Sequence, residues 1–186
     1  MIERLRPKWS EEELKVIYAK PHDHVRFGRD HLLRVEVTQQ IVNDMVRLTN
    51  AESAADLSSG NGTLLTNTPV RTKYFGDFAP GYEFTGAIEQ TIHQIPNVDL
   101  FILSETLEHV DNPVEVLSLI RQKSKALVLS TPVGCFHDSN PEHYWAYDRE
   151  GVQDLLREAG WTPNVYNALD TTVFNNPYVF GMWGCL

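Results

Sequence analysis

Cysteine is scarce, long apolar runs are absent and positive charge is in deficit, and each shortage removes a class of protein. Cys135 and Cys185 are the two cysteines in 186 residues, and their spacing matches no zinc or redox pattern. They read as free thiols in a reducing compartment. No apolar run reaches the length needed to span a bilayer, and the opening Met1-Ile2-Glu3-Arg4-Leu5-Arg6 lacks the apolar segment of a signal peptide. The expectation is a cytoplasmic protein with no membrane partner. Sixteen Lys and Arg stand against twenty-five Asp and Glu, for a net charge of -9, which disfavours non-specific capture of nucleic acid. The deficit is uneven, because eight of the basic residues lie in the first 36 positions against seven of the acids. That part could offer a local basic surface to an anionic group.

What is present suits one globular domain. Hydrophobic residues make up 42% and charged residues 22%, and a chain of this length can enclose a single core without metal or disulfide staples. Ser10 followed by Glu13 is a capping box and predicts a helix to about Lys20, closed by Pro21. A polar stretch from His22 to His31 follows, with His22, His24 and His31 spaced either as metal ligands or as part of a surface turn. Leu33, Val37, Ile41, Met45 and Leu48 recur at helical spacing and predict an amphipathic helix over Leu32 to Leu48.

Beyond that helix the period shortens. Strands are predicted at Ala54 to Leu57, Val70 to Phe75, Tyr82 to Thr85, Val98 to Leu103 and Ala126 to Ser130, and two extended segments close the chain at about Thr162 to Leu169 and Tyr178 to Trp183. Between them a brief helix follows Gly86, another starts at Asn112-Pro113, and a third starts at Asp148 and stops at Gly160. The interval Thr63 to Pro69 is too short for a full crossover helix. The resulting expectation is an α/β fold: a Rossmann-like three-layer sandwich with a mostly parallel seven-stranded sheet, an antiparallel edge and a shortened first crossover.

Chemistry concentrates in the stretch Asp56-Leu57-Ser58-Ser59-Gly60-Asn61-Gly62. Two close glycines admit backbone near a ligand, and an acid at a strand end can fix a polar group, although strand and turn would read the same way. Asp77 comes twenty-one residues after Asp56, which places a second acid where ribose hydroxyls are bound in dinucleotide sites. Leu65 occupies the third glycine position of a pyrophosphate loop, so a nucleoside-like ligand is favoured over phosphate.

At these residues the chain resembles the class I S-adenosylmethionine-dependent methyltransferases. Their first motif is similar to Asp56 through Gly62, with Ser58 in place of the first glycine, and the likeness continues through Gly76-Asp77, Gly86-Ala87-Ile88 and Asp99 to Val110. It implies a cofactor site of Asp56, Ser58, Gly60, Gly62, Asp77, Ala87, Ile88 and Ser104. Ala87 stands where an acid usually binds the adenine amino group. Ser104-Glu105-Thr106-Leu107 replaces the Asn-Pro-Pro-Tyr-like sequence that would hold a base amino group for N-methylation.

Glu105, Glu108 and His109 lie just beyond the central strand, with His143 in the loop after the fifth strand. Carboxylates and imidazoles of this kind can ligate Mg²⁺ or another divalent cation, and the pattern resembles the metal sites of small-RNA-terminal 2′-O-methyltransferases and quinone-precursor O-methyltransferases. Without a metal, His109 or His143 is the candidate general base. Arg26, Arg29, His31, Tyr144 and Trp145 are candidate acceptor contacts. Residues 1–50 are expected to form a substrate lid on the same domain, and 51–186 the cofactor-binding core. The expected activity is methyl transfer to an oxygen of a small metabolite or glycan precursor. Nucleic-acid 2′-O-methylation and a non-catalytic cofactor-binding scaffold are the alternatives.

Overall fold

A computed structural model describes residues 1–19 and 28–186. Seven strands form one sheet: β2 (Ser53–Asp56), β3 (Thr72–Asp77), β4 (Phe84–Thr85), β5 (Val98–Ser104), β6 (Ser124–Val133), β8 (Pro163–Asp170) and β9 (Val179–Cys185), in the order β4-β3-β2-β5-β6-β9-β8. Strands β4 through β6 run parallel, while β9 is antiparallel to both of its neighbours. The reversed strand therefore sits one place in from the edge, and β8 returns to the common direction. A second, two-stranded sheet pairs β1 (Ile2–Arg4) with β7 (Trp145–Tyr147). It had no counterpart in the sequence reading, because three residues carry too little periodicity to register.

Alternation along the strands builds two cores. Ala55, Phe101, Leu103, Leu127, Leu129 and Trp183 face α4 (Ile88–Thr91), α5 (Pro113–Lys123) and α6 (Arg149–Glu158). Ala54, Leu100, Ile102, Ala126, Val128 and Met182 face α2 (Arg29–Thr49) and α3 (Thr63–Asn67). Both faces of the central strands are covered, which is why β5 reads as an almost continuous apolar run. The first crossover is indeed short, since α3 has five residues.

The N-terminal helices differ from expectation in one informative way. Helix α1 (Glu11–Ile17) carries the full capping box of Ser10 and Glu13. The buried positions of α2 are His31, Arg34, Thr38, Ile41, Val42, Met45 and Val46, whereas Leu48 is exposed. Its C-terminal half packs on the sheet and belongs to the core rather than to a lid. Its N-terminal half turns the same face toward a cleft, and that face is polar. Gly184 lies where a Cβ would come 2.8 Å from the Met45 sulfur, so the helix approaches β9 closely. Among the described residues no helix is long and apolar enough to cross a membrane.

Candidate active site

The cleft opens at the C-terminal ends of β2, β3 and β5. Successive crossovers leave β2 and β5 toward opposite faces of the sheet, which is where open α/β sheets bind ligands. One wall is built from backbone. Gly60 and Gly62 hold φ of +55° and +75°, a region that favours glycine. Asp56 Oδ1 accepts from the Ser58 amide at 3.0 Å, the Ser59 hydroxyl donates to the Asp56 carbonyl at 2.7 Å, and the Ser59 amide reaches the Gly76 carbonyl at 2.9 Å. Asp77 ties the loop to β3: Oδ2 accepts from the Gly60 amide at 2.7 Å and Oδ1 from the Ala79 amide at 2.8 Å. Asp56 is fully buried, and burial pushes its carboxyl up to about 7 against the opposing Ser58 hydrogen bonds, with the charge of Asp77 adding to the rise.

Ser58, at the first-glycine position, is bonded across the cleft. Its Oγ lies 2.8 Å from the Thr106 hydroxyl oxygen, which also lies 3.0 Å from the Ser104 carbonyl, so the one Thr106 proton is shared between the two or goes to the carbonyl while Ser58 donates. The loops after β2 and β5 are thereby joined through two side chains. Ala87 and Ile88 line the same wall with Phe78, while Gly62 turns the chain into α3 and does not line this cleft.

Beside the cleft lies a cluster of side chains, of which His109 lines the cleft while Glu108 and His143 are buried behind it. Glu108, His109 and His143 each place one ligand atom within 4.8 Å of the other two. His109 Nδ1 lies 2.9 Å from the Glu142 carbonyl and His143 Nδ1 lies 2.6 Å from Asp138 Oδ2. A carbonyl or carboxylate oxygen accepts, so both Nδ1 atoms carry a proton and Nε2 is the ring atom left to meet a ligand. Glu108 Oε2 accepts from the Thr131 hydroxyl at 2.9 Å, and Oε1 lies 3.8 Å from His109 Nε2. Burial and the charge of Glu105 push the Glu108 carboxyl well above its ordinary value, with the Thr131 hydrogen bond and the charge of Arg34 opposing. Histidines backed by a carboxylate and a carbonyl, beside a carboxylate backed by a hydroxyl, have the supporting partners that metal ligands use.

Glu105 lies outside this cluster, contrary to the four-ligand expectation. Its φ is +53°, and Oε1 accepts from the Ser130 hydroxyl at 2.7 Å and pairs with Arg34 Nη1 at 3.3 Å. Arg34 also donates to His31 Nδ1 at 2.7 Å and lies over the Phe180 ring. Of the candidate acceptor contacts, His31 lines the cleft, Arg29 is exposed at the start of α2, and Arg26, like His22 and His24, lies outside the described residues. Tyr144 and Trp145 are turned elsewhere. The Tyr144 hydroxyl accepts from the Trp9 amide, its own amide donates to the Glu108 carbonyl, and Trp145 Nε1 donates to the Val110 carbonyl. Both are held in place by packing and hydrogen bonds away from the cleft.

No protein-family model and no curated protein sequence matches the chain. Solved structures do. The Burkholderia thailandensis 1,6-didemethyltoxoflavin-N1-methyltransferase, with 1,6-didemethyltoxoflavin and S-adenosylhomocysteine bound, aligns over 99% of this chain and 93% of its own at 14% identity and a TM-score of 0.66. The chain has the class I methyltransferase fold. A Leishmania major S-adenosylmethionine-dependent methyltransferase shares that fold over 94% of this chain and 80% of its own, at 14% identity and a TM-score of 0.69. The magnesium protoporphyrin IX methyltransferase of Synechocystis, with S-adenosylhomocysteine bound, does so over 94% and 92%, at 12% identity and a TM-score of 0.62.

Lys8, Leu14, Tyr18, Arg34, Phe78 and Thr106 line the cleft and were missed in the sequence. Arg34 alone left a trace there: a charged residue on the buried side of α2, at helical spacing from His31 and Thr38.

Proposed function

We propose that the protein is an S-adenosylmethionine-dependent methyltransferase that methylates an oxygen of a small acceptor, a metabolite or glycan precursor, with a divalent cation held by Glu108, His109 and His143. The methyl donor fits the backbone wall: Asp77 would accept from its ribose hydroxyls, Asp56 would set a negative charge beside its cationic part, and Ala87 and Ile88 would lie against its base. S-adenosylmethionine would supply an electrophilic methyl on a sulfonium, leaving the protein to align donor and acceptor and to help the acceptor lose its proton.

The choice of oxygen rests on one observation, three ligand atoms gathered within 4.8 Å of one another, one of them on His109, which lines the cleft. A divalent cation bound there would make an acceptor hydroxyl easier to ionise. Glu108, His109 and His143 would hold it, with Thr131, the Glu142 carbonyl and Asp138 fixing their orientation. A small acceptor agrees with the toxoflavin precursor and porphyrin named for two similar structures, although the first of those enzymes acts on nitrogen, so the oxygen comes from the cluster alone.

Labelled methyl transfer into a cell extract, split into small-molecule, RNA, DNA and protein fractions, tests the reading. Label is expected in the small-molecule fraction, lost with chelator and restored by added Mg²⁺ or Mn²⁺. Activity indifferent to chelator would leave Nε2 of His109 or His143 as the base. Label confined to RNA would replace the acceptor class by nucleic acid, and cofactor binding with no transfer into any fraction would favour a scaffold.

A further inference from the structure

The segment before α2 holds the loop that carries His143. The Leu5 amide donates to the Tyr144 carbonyl at 2.8 Å, Arg6 Nη2 donates to the Asp138 carbonyl, and Trp9 Nε1 donates to the Pro141 carbonyl at 2.9 Å. Tyr18, at the end of α1, makes the contact with the longest reach. Its ring packs on Phe78 with centroids 5.6 Å apart, and its hydroxyl donates to Glu142 Oε2 at 2.9 Å. Glu142 is also the residue whose backbone carbonyl, 2.9 Å from His109 Nδ1, fixes that imidazole. Phe78 follows Asp77 directly and lines the donor end of the cleft. A single side chain thus touches a residue that lines the cleft and a residue that fixes the cluster.

We propose that Tyr18 is a positioning residue that couples occupancy of the donor end of the cleft to cation binding at the Glu108–His109–His143 cluster, through its ring on Phe78 and its hydroxyl on Glu142. Helix α1 buries only Leu14 among its seven residues, so the segment is weakly held by its own packing and open to being ordered by a ligand. A donor packed against Phe78 fixes the Tyr18 ring, the ring fixes the hydroxyl on Glu142, and Glu142 holds the lone pair of His109 toward the cluster. A second ligand then binds to a site already ordered, and the coupling must be equal in both directions. Burial and the nearby Glu142 charge push the Tyr18 phenol well above its ordinary value, so it stays a neutral donor across the working pH range.

The inference rests on the donor and metal reading of the cleft, and the test separates the two. Mn²⁺ is titrated into the full chain by electron paramagnetic resonance with and without saturating S-adenosylhomocysteine, and S-adenosylhomocysteine is titrated with and without Mn²⁺. In the wild-type protein each ligand is expected to tighten the other by the same factor, about tenfold. Tyr18→Phe keeps the ring on Phe78 and loses the hydroxyl, and its coupling factor should fall below about twofold whatever the separate affinities. Glu142→Gln keeps an acceptor for the hydroxyl and should retain most of the coupling, while Glu142→Ala should lose it. Undiminished coupling in Tyr18→Phe, or two ligands that bind the wild-type protein independently, would overturn the proposal. Failure of Mn²⁺ to bind the wild-type protein at all would overturn the metal reading first, and the proposal with it.

Discussion

The loop wall of the cleft and the side-chain cluster beside it are built from different materials, and the proposed function gives them different work. The proposed donor wall is backbone amides, the left-handed Gly60 and two carboxylates, drawn from the loops after neighbouring strands β2 and β3 and tied together by Asp77. The proposed metal cluster is imidazoles, a carboxylate and their supports, drawn from the turn after β5, the end of β6 and the loop 138–144, and clasped by residues 5–18. A wall of backbone gains its shape from the sheet and, when one side chain is cut, loses chiefly the bonds which that side chain made. A cluster of side chains depends on each support, so its losses should be larger and more selective.

Removing a cluster ligand is the strongest way to break this contrast. Glu108→Gln or His143→Ala is expected to lower methyl transfer by at least about 100-fold and to abolish Mn²⁺ binding, with affinity for S-adenosylhomocysteine within about threefold of wild type. Loss of cofactor binding as well, read by calorimetry, would mean that wall and cluster are not separable. Asp77→Ala attacks the loop wall. Charge-assisted hydrogen bonds are worth roughly 1.5–3 kcal/mol, so S-adenosylhomocysteine affinity should fall by about 10- to 100-fold while Mn²⁺ affinity without cofactor stays unchanged.

Asp56 makes the contrast visible in pH. Its carboxyl titrates at about 7 in the folded, unliganded protein and near 4 when unfolded. Between those values the folded state holds a proton that the unfolded state has lost, so stability falls as pH rises through this window, by up to about 1.4 kcal/mol per pH unit, and levels off above 7. Melting of the unliganded protein from pH 5 to 8 should show that decline in wild type and not in Asp56→Asn. Cofactor binding has the opposite slope, because a cationic donor favours the ionised carboxyl, so affinity should rise toward pH 7 and then flatten. The smallest effect is expected for Thr106→Val, which removes the bridge to Ser58. One hydrogen bond of about 1 kcal/mol corresponds to a loss of about fivefold in cofactor affinity, measured by the same calorimetry.

The same contrast explains what could be read before any coordinates. Asp56, Gly60 and Asp77 are legible as residues of the cleft because the loop wall is assembled from two strands and the short connection between them, and its backbone requirements leave glycines and acids at fixed spacing. The short α3 follows from the few residues, Thr63 to Pro69, between the first two strands of the large sheet. Glu108, His109 and His143 were legible as residue types, but the separation of Glu105 from them was not: it depends on Arg34 and Ser130, which arrive from α2 and β6. Tyr144 and Trp145 looked like pocket aromatics beside His143. One is buried with its hydroxyl on the Trp9 amide and the other joins β7, because the pairing of β1 with β7 spans more than 140 positions of the chain and leaves no local pattern.

Isothermal titration of S-adenosylhomocysteine into the wild-type chain and into Asp77→Ala tests the donor site most directly. A single site of micromolar affinity in wild type, weakened by about 10-fold or more in the variant, is the expected result. No heat of binding up to millimolar ligand, or equal affinity in the two proteins, would contradict it.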